Sequence, residues 1–216
     1  MKGPRRQFMY CGIYAVVLMT AFNFFSHGTQ DLYPTFLEVQ HGLSPQEVSL
    51  IAVVYNIGAI IGGISFGSLS ERFGRRRIII IAATLSLAVL PLWAFAESPL
   101  WLAVGAFLMQ VTVQGAWGVI PVHLNELSPD DARGTFPGYV YQLGNLIASV
   151  NATLQAGIAR RYDDNYAFGL AVVAGTVAIV IVILTALGIE AKGAVFGAAR
   201  ARQPADPKAA TNPAPS

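Results

Sequence analysis

Charged side chains are scarce in this chain, 12% of its 216 residues, while 54% are hydrophobic. A soluble domain carries about 25% charged residues. The mean hydropathy is +0.53. So little charge cannot clothe a water-facing surface, and the chain falls in the membrane class before any motif is read. Cysteine is scarcer still: Cys11 stands alone, inside apolar sequence. Neither a disulfide framework nor a thiolate metal cluster can be built from it, and it reads as a small packing residue. The sequence also lacks a G-x-x-x-x-G-K-[S/T] phosphate loop, an H-E-x-x-H stretch and any histidine pair at metal-ligand spacing. Direct coupling to ATP is therefore not indicated. With no nucleophile–base or metal constellation either, an enzyme is the least expected class, and no cofactor or metal is expected.

Long apolar runs are what the chain has in quantity. A spanning helix needs about 20 mostly apolar residues. Six stretches qualify, at roughly 8–36, 48–69, 78–96, 100–124, 136–159 and 166–189. The expectation is an all-α polytopic membrane protein: a segment over 1–7, a six-helix transmembrane domain over 8–189, and a disordered tail over 190–216 rich in Ala, Pro and Arg. Basic KGPRR before the first apolar run imitates a secretory leader, but that run is long and has no small-residue cleavage site. Of 14 Lys and Arg, 12 fall on the side of the N-terminus and only Arg160 and Arg161 on the other. The positive-inside rule then puts both termini in the cytoplasm, in a plasma or inner membrane.

Polar residues divide the spans. The third and sixth carry no Asn, Gln, His, Asp or Glu before their terminal loops, and are expected to face lipid on most sides. The second holds Asn56, the fourth Gln110 and Gln114, and the fifth Gln142, Asn145, Asn151 and Gln155. Uncompensated polar groups in hydrocarbon are costly, so these should face other helices or a wet cavity. The order polar, polar, apolar occurs twice and divides the domain into two three-helix units. Gly58 and Gly62, and Gly63 and Gly67, are four residues apart in the second span, which reads as close helix packing. Trp93, Trp101 and Trp117 read as interfacial anchors or packing residues. His41 reads as a solvated loop residue and His123 as structural. Asn151-Ala-Thr153 is formally a glycosylation sequon, but it lies within an apolar span.

The stretch NFFSHGTQDLYPT, residues 23–35, continues the first apolar run with seven polar side chains. On a helix with Asn23 at zero, His27 falls at about 40°, Asp31 at about 80°, Gln30 at about −20°, Ser26 at about −60° and Thr35 at about 120°. Thr29 lies apart, at about −120°. Asn23, His27 and Asp31 form a line of neighbours four residues apart, and His27 and Asp31 can share one proton load. Histidine titrates near neutrality, and an ionisable residue inside a membrane is a functional candidate by default. Asp31 lies about 35 Å along a helix begun at Phe8, at the outer boundary of the hydrocarbon, so a helix end wetting at the surface is the competing reading.

Asn23, Ser26, His27, Thr29, Gln30, Asp31 and Thr35 also fit N-x-x-[S/T]-H-x-[S/T]-Q-D-x-x-x-T. This resembles the signature of the lactate/pyruvate and sialate proton symporters of the major facilitator superfamily. GSLSERFGRRR, residues 67–77, is similar to that superfamily's cytoplasmic loop motif through Gly67, Leu69, Ser70, Arg72, Gly74, Arg75 and Arg76, with Glu71 where the pattern has Asp. Glu126 and Arg133 in NELSPDDARG occupy the matching loop between the fourth and fifth spans.

The resemblance implies the C-terminal six-helix half of a twelve-helix carrier working by alternating access. His27 and Asp31 would carry the proton. Asn23, Ser26, Gln30 and Thr35 would line the path, and Asn56, Gln110, Gln114, Gln142 and Asn145 could line it further. The loop charges would latch neighbouring helices. Its partners would be a small carboxylate, protons, the lipid bilayer and a second six-helix half: a separate chain, a missing N-terminal part, or another copy. The alternatives are a carrier of another solute, such as a sugar or aromatic acid, and a truncated or accessory membrane subunit without transport of its own.

Overall fold

The computed structural model describes residues 4–128 and 132–188, with side chains from Met9 onward. Over these residues the chain is helical: α1 (Pro4–Gln30), α2 (Tyr33–Val39), α3 (Pro45–Phe73), α4 (Arg75–Phe95), α5 (Pro99–Leu127), α6 (Phe136–Ala148), α7 (Asn151–Arg161) and α8 (Tyr166–Leu187). The residues expected to form the 190–216 tail, and those at 129–131, lie outside the described residues. Local chemistry sets several starts. Ser44 and Glu47 close a capping box on α3, with Pro45 in its first turn. The Ser98 hydroxyl accepts from the Trp101 N–H of α5, and the Asn165 side chain accepts from the Phe168 N–H of α8. Each cap satisfies an N–H that a helix start leaves without an intrahelical partner. Gly74 alone joins α3 to α4 at φ +97, a conformation that a side chain would strain.

Five stretches are long and apolar enough to cross a membrane: Met9–Val39, Pro45–Phe73, Arg75–Phe95, Pro99–Leu127 and Tyr166–Leu187. The expected first span is not one helix. It breaks at Asp31–Leu32, and Pro34 opens α2 in a position where its missing N–H costs no hydrogen bond. The expected fifth span is also interrupted, at Ser149–Val150. Its two pieces, of 13 and 11 residues, are each too short to cross alone.

The helices pack in the order α3 on α5, α5 on α4, α4 on α8, α8 on α1 and α1 on α6, with α7 against α8. The glycines of α3 allow the first of these contacts. A methyl at Gly58 would stand 2.6 Å from the Phe107 carbonyl oxygen, and one at Gly62 would fall on that of Val111. This is the close packing expected from their spacing. The third and sixth expected spans, α4 and α8, each bury 39% of their apolar window, and the larger part of each stays uncovered. Ile78, Ile79, Ala82, Ala83, Ser86 and Trp93 are buried, because α4 lies between α5 and α8. Its lack of polar groups marks a dry interior. α3 is the more exposed helix, showing Leu50, Val53, Ile57, Ile60, Ile61 and Ile64.

Candidate functional site

Helix α1 ends within the polar stretch, so its last carbonyls lose the donors that a further turn would supply. Side chains from two other helices take their place. Gln155 on α7 donates through Nε2 to the Gly28 carbonyl at 2.7 Å. Gln110 on α5 donates to the Thr29 hydroxyl at 3.1 Å and approaches the Thr29 carbonyl at 3.4 Å. Gln110 also accepts from Gln30 Nε2 at 2.8 Å, and one turn away Gln114 donates to the Ser26 hydroxyl at 3.0 Å. Tyr33 anchors the far side of the break. Its ring stacks on Trp93 at 5.2 Å, and its hydroxyl lies 3.3 Å from the Trp93 carbonyl and 3.2 Å from that of Leu102. The break is thus held by hydrogen bonds between neutral groups, which satisfy the backbone without burying a charge.

The charged pair sits where this network opens. His27 Nδ1 lies 3.3 Å from each carboxylate oxygen of Asp31, and the two side chains are 43% and 42% exposed. They lie between the α5 side of α1, marked by Ser26, Thr29 and Gln30, and the α7 side, marked by Gly28. A pair so exposed contributes under about 1 kcal/mol to stability.

The other expected lining residues scatter. Asn23 is buried, with its Nδ2 directed toward Gly144 of α6. Thr35 is half-buried on α2. Asn56 is exposed on α3 and donates to its own helix at Ala52. Gln142 is exposed and Asn145 half-buried on α6, and neither bonds to the network among the described residues. Of the five further candidates, the structure brings Gln110 and Gln114 to the stripe and leaves Asn56, Gln142 and Asn145 apart from it.

Two participants were not singled out from the sequence. Thr29 belongs to the signature but falls off the helical face drawn for it, because α5 approaches α1 between Thr29 and Gln30. Gln155 was one polar residue among several in the fifth span. Its pairing with Gly28 spans 127 positions in sequence and carries no local signal. Asn151, beside it against Gly28, is buried, which keeps the sequon out of reach of modification.

At the opposite end of the bundle the loop-motif residues converge in part. Arg75 Nε meets Glu126 Oε1 at 3.2 Å, with side chains 11% and 7% exposed. Arg75 also donates to the Ser70 hydroxyl at 2.7 Å, which donates to the Gly67 carbonyl at 2.6 Å. Arg76 donates to the Thr185 carbonyl at 2.8 Å and to that of Ala186, closing the end of α8. Arg133 reaches the Ser128 carbonyl at 3.5 Å. Glu71 and Arg72 are exposed in the last turn of α3. His41, outside the spans, is not simply solvated: its Nε2 is buried and its ring packs edge-on against Phe36 at 4.7 Å. Burial pushes its pKa below the ordinary histidine value, against a smaller opposing effect of Glu97.

The family model described as Major Facilitator Superfamily matches residues 7–213. The chain belongs to the major facilitator superfamily. It is therefore an integral, multi-pass membrane protein of a transporter family. It is 39% identical over 82% of its length to a carboxylic acid transporter protein homolog of Saccharomyces cerevisiae, covering 30% of that protein. It is 29% identical over 62% of its length to a D-xylose transporter of Levilactobacillus brevis, covering 27% of it. It is 32% identical over 59% of its length to a sheep facilitated glucose transporter, solute carrier family 2 member 3, covering 24% of it. The chain thus spans less than a third of these curated relatives.

Proposed function

We propose that this chain forms one six-helix half of a carrier that moves a small carboxylate with a proton by alternating access. In this reading α6 and α7 together make the fifth crossing and α8 the sixth, and both termini lie in the cytoplasm with the Arg75 end of the bundle. A second six-helix half completes the path. The observation that carries the reading is the half-exposed His27–Asp31 pair beside a network of neutral amides and hydroxyls. Protonated His27 attracts a carboxylate, Asp31 shares that proton load, and the proton is released on the same side as the anion. Ser26, Gln30 and Thr35 orient the solute without adding charge, and Asn23, Asn56, Gln142 and Asn145 remain as further lining groups. Arg75, Glu126 and Arg76 latch the cytoplasmic end in one state, with Gly67 and Ser70 in the same network and Gly74 setting the turn. Glu71, Arg72 and Arg133 stand around that latch. Likeness to a carboxylic acid transporter homolog supports the substrate class.

The test is uptake of labelled lactate into proteoliposomes holding this chain with its second half. Uptake should rise with an inward proton gradient, and His27→Ala or Asp31→Ala should abolish it while leaving the protein folded in the membrane. Undiminished uptake in both variants sinks the assignment. A second reading, a sugar carrier, draws on the neutral Gln30, Gln110 and Gln114 and on the sugar-transporting relatives. Uptake of xylose or glucose that ignores the proton gradient and competes with no carboxylate would select it.

A further inference from the structure

A cavity of about 390 Å³ lies between α1, α5 and α6, with Met19, Trp117, Ile120, Pro121 and Tyr141 among its walls. It is in line with the polar stripe. Met19 precedes Ser26 by seven residues on α1, and on α5 Trp117 follows Gln114 by three and Pro121 by seven, so the cavity wall runs from about one turn to about two turns, roughly 10 Å, beyond the Ser26–Gln114 hydrogen bond. The walls are apolar and aromatic. Trp117 is their centre, 6.1 Å from the Phe22 ring and 6.2 Å from the Tyr141 ring, which meets it edge-on at 63°. Two polar handles interrupt this surface. Pro121 has no N–H to give the Trp117 carbonyl four residues earlier, which frees that oxygen as an acceptor. The Tyr141 hydroxyl makes no hydrogen bond among the described residues, and Tyr141 is exposed.

We propose that this cavity receives the apolar body of the transported acid, and that the preferred substrate is an arylalkanoic monocarboxylate instead of lactate or pyruvate. The proposal rests on the carboxylate reading above. The carboxylate lies toward Ser26, His27 and Gln30. The ring lies against Trp117 and Tyr141, where offset and edge-on contacts are favourable. A hydroxyl on the far edge of the ring donates to the Trp117 carbonyl. The separation of about one to two helical turns matches an acid such as 3-(4-hydroxyphenyl)propanoate. The volume is at the small end of the roughly 300–1,000 Å³ range of ligand pockets. A three-carbon acid would leave most of it empty and Trp117 uncovered.

The experiment uses the reconstituted carrier, this chain with its second half, and follows uptake of labelled lactate and labelled 3-(4-hydroxyphenyl)propanoate. The aryl acid should inhibit lactate uptake at a concentration at least tenfold below that of unlabelled lactate, and should itself be carried. Trp117→Ala should cut the ratio of aryl-acid to lactate uptake about tenfold. Trp117→Phe, which keeps a ring and guards against misfolding, should retain most of the preference. Lactate uptake untouched by the aryl acid overturns this inference and leaves the carboxylate reading standing. Equal loss of both activities in Trp117→Ala, with no difference between Ala and Phe, also overturns it. Uptake of neither acid defeats the carboxylate reading and this inference together.

Discussion

At one end of the bundle Gln110, Gln114 and Gln155 hold α1 where its helix breaks, and every group they touch there is neutral. At the other end Arg75 and Glu126 face each other with little exposure, and Arg76 closes the last turn of α8. Both ends satisfy backbone and side-chain polarity that would otherwise be stranded, but with different chemistry. An amide gives up less hydration than an ion when it is buried, so it can work at depth without a counter-charge. A buried ion pair is all or nothing: intact it is tolerable, and halved it leaves an uncompensated charge.

Breaking the Arg75–Glu126 pair should have the largest effect. Glu126→Leu leaves Arg75 buried without its partner and should destabilise the protein by about 3 kcal/mol. Arg75→Met should do the same from the other side. The double substitution should recover much of that loss, since neither charge then remains. Thermal unfolding of the four proteins in lipid nanodiscs checks this. If the double variant is as unstable as the sum of the singles, the ion pair is not the linkage at that end.

The amide end should respond less steeply. Gln110→Leu removes the donor to Thr29 and the acceptor for Gln30, and should cost about 1–3 kcal/mol for the groups left unsatisfied. Gln155→Leu should fall at the lower end of that range. It strands the Gly28 carbonyl but also removes Gln155 Oε1, which is buried without a hydrogen bond in the intact protein. A loss at Gln155 as large as that at Glu126 would erase the distinction between the ends. Smaller still should be the stability effect of His27→Gln or Asp31→Asn, under about 1 kcal/mol for so exposed a pair.

The sequence made some of this legible. Ser44-Pro45-x-Glu47, the α3 glycines and the arginine cluster after Gly74 each carry a local signal that the structure realises, and the long apolar runs gave the spanning helices. Of the two helix breaks, the first was legible only as the competing reading of a helix end at the surface, and the second was not legible. At Asp31–Leu32 the polar residues fall on one face of a continuous helix, and Pro34 follows the break by enough to open a new helix. At Ser149–Val150 the stretch LIASVNAT contains neither Gly nor Pro, so nothing interrupts its apolar reading. The partners of the candidate stripe depended on α5 and α7 approaching α1 from two sides, a tertiary fact that periodicity within one segment does not contain. Asn23 shows the same limit. Its angle placed it with His27, but α6 packs over it through Gly144.

The smallest expected effect sharpens the contrast by adding a titratable group to the amide end. His41 lies in the loop between α2 and α3, its Nε2 buried without a hydrogen bond and its ring edge-on to Phe36. Burial holds its pKa below the ordinary value, while Glu97 opposes that shift in smaller measure. The unfolded chain therefore binds a proton more readily than the folded one. The stability that neutral His41 contributes is present above the unfolded value, near about 6.5, and is lost as pH falls below it toward the folded value. Thermal midpoints should decline between pH 7.5 and pH 5 in the intact protein, and less so in His41→Gln, whose side chain cannot titrate. The two curves should converge at acid pH. Parallel curves would show that His41 contributes nothing to the acid sensitivity of this end.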